Sequence, residues 1–505
     1  MDWGKGENTI RKQPSIRRNF LMNAILRAAN VIFPLITIPY ISRILLPVGM
    51  GRVSFATSFV AYFNMAAQLG VPSYGIRACA KVRDDRRKLS QVTMELLILT
   101  LAGTVIAYLT LALCILFIPR VWDDRMLFIV ISTTVFLNSI GMEWLYKGLE
   151  QYTYITVRSL IFKTIALLAV FLLIRNQDDV LVYAGISIFA SSASNILNFA
   201  HAHRLVDFHT RQGVNLHRHI KPVLVLFAMV CAVTLFTNLD EVMLGFIRTK
   251  AEVGYYQAAV RIKVALVDVI TALSVVLMPR ASYYVEHGMK EEFQRITDKG
   301  MHFVLLSSAG LMVYFMLFAK ETISCLFGAA FDASILPMIL IMPNVMLTGM
   351  TRVMGNQILI PQGQEKIVLY SVAAGAAVDV VLNALLIPNH GPAGAVFGTV
   401  AAELVIVMIQ YPKVRKDVSG VVRRFISWKI AGALVLSAGA SLWVKALPIG
   451  LLYRLALSSI LFFVVYIAFL LITKETMVVE VFGWMIKKMK RVNIQHHRDS
   501  ERKRS

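Results

Sequence analysis

The sequence predicts an all-α integral membrane protein of about 14 transmembrane helices. Three observations carry that expectation. Of 505 residues, 57% are hydrophobic and only 16% charged, against roughly 25% charged in soluble domains. The mean hydropathy is +0.65. The apolar residues fall in runs of bilayer-crossing length, and the Lys and Arg residues gather in the connections between them.

The first run, 19–42, reads NFLMNAILRAANVIFPLITIPYIS. Its basic lead is not followed by a small-residue cleavage site, so it is expected to be a retained span and not a signal peptide. Further runs lie near 53–71, 91–118, 126–146, 157–174, 180–203, 222–247, 255–280, 300–319, 332–354, 367–387, 393–411, 428–446 and 452–473. Connections as short as PNHGP at 388–392 require antiparallel neighbours. With a cytoplasmic N-terminus, most of the 52 Lys and Arg fall on the cytoplasmic side, in 1–18, 76–90, 204–221, 281–299, 412–427 and the tail. An even number of spans then puts both termini there.

A faint repeat divides the runs. Gly51-Arg-Val-Ser-Phe-Ala56 opens the second and Gly254-Tyr-Tyr-Gln-Ala-Ala259 the eighth. Two six-span halves follow, with an N-terminal lobe at 1–210, a C-terminal lobe at 211–427, two additional helices at 428–475 and a basic cytoplasmic tail at 476–505. Such repeats place substrate sites between the halves.

Several function classes drop out. The formal charge of +22 is explained by topology, because no basic domain interleaved with aromatics is present. Cys79, Cys114, Cys231 and Cys325 lack CxxC spacing, so neither a disulfide framework nor a metal site follows. The histidines at 201, 203, 209, 217 and 219 read as a solvated basic loop. No nucleophile with a base and no nucleotide fingerprint is present, so no cofactor is expected. The short connections leave no room for a soluble catalytic domain.

Polar residues inside the spans are the site candidates, because a charge at bilayer depth costs roughly 2.5–3.5 kcal/mol on insertion scales. In the first span Asn19, Asn23, Arg27, Asn30, Pro34 and Thr37 share an arc of about 80° on a helix. In the eighth, Gln257, Arg261, Asp268 and Thr271 do the same, with Lys263 turned about 200° from Arg261. Thr234, Asn238 and Glu241 form a line in the seventh, from which Asp240 points away. Asp240 and Arg261 lie at similar depth. Either they form an ion pair, or Arg261 binds an anionic substrate. Asp379 with Asn383, and Thr399 with Glu403, share faces of the eleventh and twelfth spans. Their carboxylates, with Asp240, Glu241 and Asp268, are candidates for ion coupling or for charge pairing between helices.

The stretch FPLITIPYISRILLPVGMGRVSFATSFVAYFNMAAQLGVPSYGIRACAKVRDDRRKLS resembles the opening of the oligosaccharide flippases, the Wzx-type polysaccharide transport branch of the MOP superfamily. Gly70-Val-Pro-Ser-Tyr-Gly-Ile-Arg77 followed by Ala80-Lys-Val-Arg-Asp-Asp-Arg86 is its most specific piece. Asn238 to Gly245, Val253 to Arg261 and Gly391 to Glu403 are similar to later parts of that family. The resemblance implies two pseudo-symmetric six-helix bundles forming a V-shaped cavity, plus two C-terminal helices. It also implies translocation of an undecaprenyl-diphosphate-linked glycan across the bacterial inner membrane, driven by a proton or sodium gradient. Membrane lipids and polysaccharide assembly proteins are the implied partners. Arg27 and Arg261, with Asn23, Asn30 and Gln257, are then the expected contacts for substrate. A lipid II flippase or a cation-coupled exporter of the same superfamily is the alternative, and a membrane glycan polymerase or ligase a more distant one.

Overall fold

A computed structural model describes residues 16–208, 215–425 and 428–480. The N-terminal 1–15, His209 and the basic tail beyond residue 480 lie outside them. The described chain is helical throughout and forms two compact units, Met1–Asn238 and Leu239–Ser505.

In the first unit, α1 (Ile16–Gln68) packs against α3 (Arg86–Phe117), α5 (Arg125–Gly141) and α7 (Tyr152–Leu173). Between them lie α2 (Val71–Lys81), α4 (Pro119–Trp122) and α6 (Glu143–Gly148). The unit continues through α8 (Val180–Ile188) and α9 (Ser194–Ala202), joined by a π-helical turn at Phe189–Ala193, into α10 (His217–Ile247). The turn that resembles the flippases has a physical function. Gly70 takes φ 81°, and a Cβ there would sit 2.7 Å from the Phe227 backbone nitrogen. Gly75 lets α2 lie on Trp144, whose ring is 2.7 Å from where a Cβ would be. A core of Val71, Cys79, Leu96, Leu145, Tyr146 and Val223 joins these elements.

The second unit is built from the end of α10 and from α11 (Lys250–Glu286), α12 (Lys290–Leu317), α13 (Ala319–Leu326), α14 (Ile335–Ile341), α15 (Pro343–Arg352) and α16 (Glu365–Phe425). A capping box starts α11: Thr249 accepts from the Glu252 backbone while the Glu252 carboxylate returns to the Thr249 nitrogen. The last two helices, α17 (Trp428–Leu442) and α18 (Leu451–Ile472), pair with each other and lie on α12. Tyr466 donates to the Leu306 carbonyl at 3.0 Å, and Tyr314 to that of Leu455 at 3.1 Å.

Among the described residues, ten helices are long and apolar enough to cross a bilayer, or up to twelve with two bent pairs. Two of the ten, Leu21–Lys81 and Glu365–Val418, run 61 and 54 residues. At 1.5 Å per residue these are about 80–90 Å, twice the ~40–45 Å of a whole bilayer. Each contains a break. Leu46 leaves helical geometry (φ 57°, ψ 177°) before Pro47, and Gly391 does so (φ 51°, ψ −128°) between Pro388 and Pro392. Each long helix thus supplies two crossing lengths, and the observed total stands close to the 14 expected.

The Gly391 turn is clamped from outside. Arg248 donates to the Pro388 carbonyl at 3.1 Å and to Glu252 at 2.9 Å. A Cβ on Gly391 would approach Glu252 Oε1 to 2.6 Å. Gly391→Ala therefore combines a positive-φ penalty of about 1–2 kcal/mol with a clash. The expected outcome is a lower melting temperature in detergent, with no such drop for Gly439→Ala, where a Cβ meets nothing within 4 Å.

Just past α18, Glu475 caps the next turn through the nitrogens of Met477 and Val478, at 3.0 and 3.2 Å. His302 Nε2 lies 2.9 Å from its carboxylate. Burial raises the Glu475 pKa, but the His302 contact and the two backbone donors outweigh burial and hold it below the usual glutamate range. A depressed pKa contributes stability above the unfolded-state value of about 4.3, and this is lost as pH falls through the folded value. Melting temperature followed from pH 7 to 3 is expected to fall less steeply in Glu475→Gln than in the parent.

Candidate functional site

The densest buried polar cluster lies in the second unit, on the α10, α11 and α16 elements. Asp240 stands near the end of α10 with both carboxylate oxygens engaged. Asn383 Nδ2 donates to Oδ1 at 2.5 Å, Thr399 Oγ1 lies 2.6 Å from Oδ2, and the Tyr256 hydroxyl also donates to Oδ2. The hairpin at Gly391 explains why two of these partners meet. Asn383 and Thr399 lie eight residues to either side of it, so folding α16 on itself sets them level.

Asp379, one turn before Asn383, is fully buried. Among the described residues no hydrogen-bond donor reaches either of its oxygens, or Oδ1 of Asn383. Two of these acceptors, Asn383 Oδ1 and Asp379 Oδ1, converge on one place. A Cβ on Gly398 would lie 2.4 Å from Asn383 Oδ1 and 3.0 Å from Asp379 Oδ1. Asp240 is the charged group that acts most strongly on Asp379. Two carboxylates so placed in a low-dielectric interior cannot both stay ionised without a cation between or beside them. The chemistry of the donor set, oxygens only, suits a proton or a hard monovalent cation.

Around this pair the charges are arranged otherwise than expected. Among the described residues no ion pair joins Asp240 to Arg261, because neutral donors already fill the Asp240 oxygens. Lys263, on the other side of α11, has Glu403 and then Asp240 as its acidic neighbours. Glu403 is buried and accepts from the Thr351 hydroxyl. Asp268 faces Arg352 at 3.7 Å, both half-exposed. Gln257, Arg261 and Glu241 are half-buried.

In the first unit, Asn23 is half-buried and Asn30 exposed on α1, while the Arg27 side chain lies outside the described residues. Thr37 bonds its own helix, at 3.1 Å to the Phe33 carbonyl. Two cations escaped the sequence reading, although both stand in the apolar run after Tyr152. Arg158 is buried, donates to the Ser194 carbonyl at 2.9 Å and lies 5.9 Å from the centre of the Tyr154 ring. Lys163 is half-buried near the middle of α7, and among the described residues no ion pair engages it.

The fully buried Glu95 on α3 was also missed, and it corrects the histidine reading. Glu95 accepts from the Asn215 nitrogen at 2.8 Å, from Arg218 Nε at 3.0 Å and faces His219 Nε2 at 2.7 Å. His219 in turn holds the Tyr74 hydroxyl at 2.9 Å. His201 stacks on Tyr154 with ring centres 4.6 Å apart. His219 and His201 thus pack against the helix ends and are not part of a solvated loop, whereas His203 and His217 are exposed and His209 lies outside the described residues. The signal was a single glutamate in the apolar run TMELLILT.

Comparison with known proteins places the chain. Two relatives named "Putative O-antigen transporter" match about four-fifths of this chain over nearly their own full length. That of Escherichia coli (strain K12) is 21% identical over 406 residues, 80% of this chain and 97% of the relative. That of Shigella dysenteriae is 22% identical over 408 residues, 79% of this chain and 100% of the relative. The fold is similar to that of a structure of the lipid II flippase MurJ solved in an inward closed conformation, with a TM-score of 0.68 at 12% identity over 90% of this chain and 98% of that one. The sequence model of the family described as "Polysaccharide biosynthesis protein" matches residues 16–285, more than half of the chain. This multi-pass membrane protein therefore belongs to the polysaccharide biosynthesis protein family.

Proposed function

We propose that the protein is a flippase that moves an undecaprenyl-diphosphate-linked oligosaccharide repeat unit across the bacterial cytoplasmic membrane by alternating access, for surface polysaccharide biosynthesis. The observation that carries this is the match of about four-fifths of the chain to two relatives named for O-antigen transport, over nearly their full length. Family membership and the fold of a lipid II flippase support it. The class is a transporter and not an enzyme. Both termini are assigned to the cytoplasm from the basic connections.

In this reading Arg27 and Arg261 meet the diphosphate, since a guanidinium pairs bidentately with phosphate oxygens. Asn23, Asn30 and Gln257 bind sugar hydroxyls in a wet cavity, while the polyprenyl tail stays in lipid. Asp240 and Asp379 exchange the coupling ion, a proton or sodium. Loading the pair removes the repulsion between the two carboxylates. Unloading strains the hydrogen bonds by which Asp240 ties the end of α10 to α11 and α16. Glu403 is the acidic group that acts most strongly on Lys263 of α11, and Asp268 with Arg352 forms a more exposed ion pair.

A leaflet-resolved assay in proteoliposomes, with a defined undecaprenyl-diphosphate glycan, tests the reading. Movement of that substrate is expected. Movement of lipid II alone, which the MurJ-like fold would favour, or turnover with no change of leaflet, would overturn it. Asp379→Asn keeps the shape and removes the charge, so transport is expected to drop at least ten-fold with melting temperature unchanged or raised. Replacing sodium with choline, or adding a protonophore, identifies the ion. Arg27→Ala is expected to lose glycan export at matched membrane abundance, with partial retention in Arg27→Lys. Full export by the alanine variant would remove Arg27 from the mechanism.

A further inference from the structure

A cavity of about 580 Å³ lies within the first unit, between α2 and the beginning of α10, and no residue of the carboxylate cluster lines it. Arg77, Lys81 and Lys221 line it, and no acidic residue does. Its remaining wall is apolar except for Tyr74, and includes Pro222, Val225 and Leu226. Among the described residues no ion pair engages any of the three cations. The next residues along α10 continue the apolar wall outward, with Leu224 51% and Val225 60% exposed. Only 6% of the most apolar stretch of α10 is buried by the protein, so this face is left to lipid.

The walls are held in place before any ligand arrives. Glu95 fixes Arg218 and His219 at the start of α10, and His219 fixes Tyr74 on α2. Lys221 and Arg77 are thereby kept on opposite sides of one groove. Three cations at a helix end, with exposed aliphatic side chains one turn deeper, reproduce the profile of a phospholipid, phosphate above and acyl chain below.

We infer that this groove binds an anionic phospholipid of the surrounding leaflet, its phosphate among Arg77, Lys81 and Lys221 and an acyl chain along Leu224 and Val225. The occupant is committed to an anionic phospholipid because every charged residue of the lining is a cation and the groove opens onto an apolar helix that the protein scarcely covers. It is independent of the transport reading, since none of the proposed substrate or coupling residues line it. A lipid seated there braces α2 against α10.

The test uses the full chain in nanodiscs of phosphatidylcholine mixed with phosphatidylglycerol, followed by native mass spectrometry of the lipids retained. Preferential retention of phosphatidylglycerol is expected, and at least a ten-fold loss of it in Arg77→Gln/Lys81→Gln/Lys221→Gln. The variant Arg86→Gln/Arg87→Gln/Lys88→Gln removes three exposed charges from the adjoining helix α3 and is expected to retain the lipid. Equal retention of the two phospholipids, equal loss in both variants, or no loss in the first would overturn the inference. Displacement of phosphatidylglycerol by equimolar undecaprenyl diphosphate, abolished by the same three substitutions, would overturn it in favour of a substrate site. Melting temperatures of both variants within a few degrees of the parent's show that lipid loss does not come from unfolding; if the triple variant does not fold, the three single substitutions are measured instead, and full phosphatidylglycerol retention by all three would overturn the inference.

Discussion

Everything distinctive in this chain follows from the cost of holding a carboxylate in an apolar medium. An ionised group there must find donors or a counter-charge, or take up a cation. Asp240 meets the requirement with donors from two neighbouring elements, Tyr256 on α11 and the two arms of the α16 hairpin. Asp379 does not meet it, although it lies one turn from Asn383. The contrast between a satisfied and an unsatisfied carboxylate is what makes the pair a candidate for ion exchange and not simply a structural bond. The same elements that stabilise Asp240 would register any change in the charge of Asp379.

That arrangement depends on where the backbone can turn. A bilayer limits a straight helix to some twenty or so residues, and the chain twice exceeds this limit without leaving helical structure for long. Leu46 before Pro47, and Gly391 between two prolines, absorb the reversals. At Gly391 the turn is reinforced by Arg248 and Glu252, themselves part of the start of α11. The hairpin that aligns Asn383 with Thr399 is therefore anchored to the same helix that supplies Tyr256. Local turn chemistry and the polar cluster support one another.

The first unit spends its buried charge differently. Glu95 collects a backbone nitrogen, an arginine and a histidine around the start of α10, and Arg158 is enclosed by carbonyl and aromatic surface. Both tie helix ends together, Glu95 with all its donors in place and Arg158 through Nη1 alone, its buried Nε having no hydrogen-bond partner among the described residues. Lys163, by contrast, stands in mid-span with no ion pair among the described residues. It is a further intramembrane cation of the kind proposed above to meet an anionic substrate.

By itself the sequence determined the membrane class, the approximate spans, the short turn at 388–392 and the resemblance to the flippases. Hydrophobic length, Gly and Pro chemistry and Lys or Arg asymmetry are local properties, readable within a window of twenty residues. It also marked Asp240, Asp379, Asn383, Thr399 and Glu403 as costly residues. Which of them meet was decided only by the tertiary structure. Asp240 bonds residues 143 and 159 positions away, and the rotation of each helix about its axis decides whether a polar side chain faces a partner or lipid. Depth along a span can be counted from sequence, which made Arg261 look like the partner of Asp240. Azimuth cannot, because it is set by the packing of all the neighbouring helices at once.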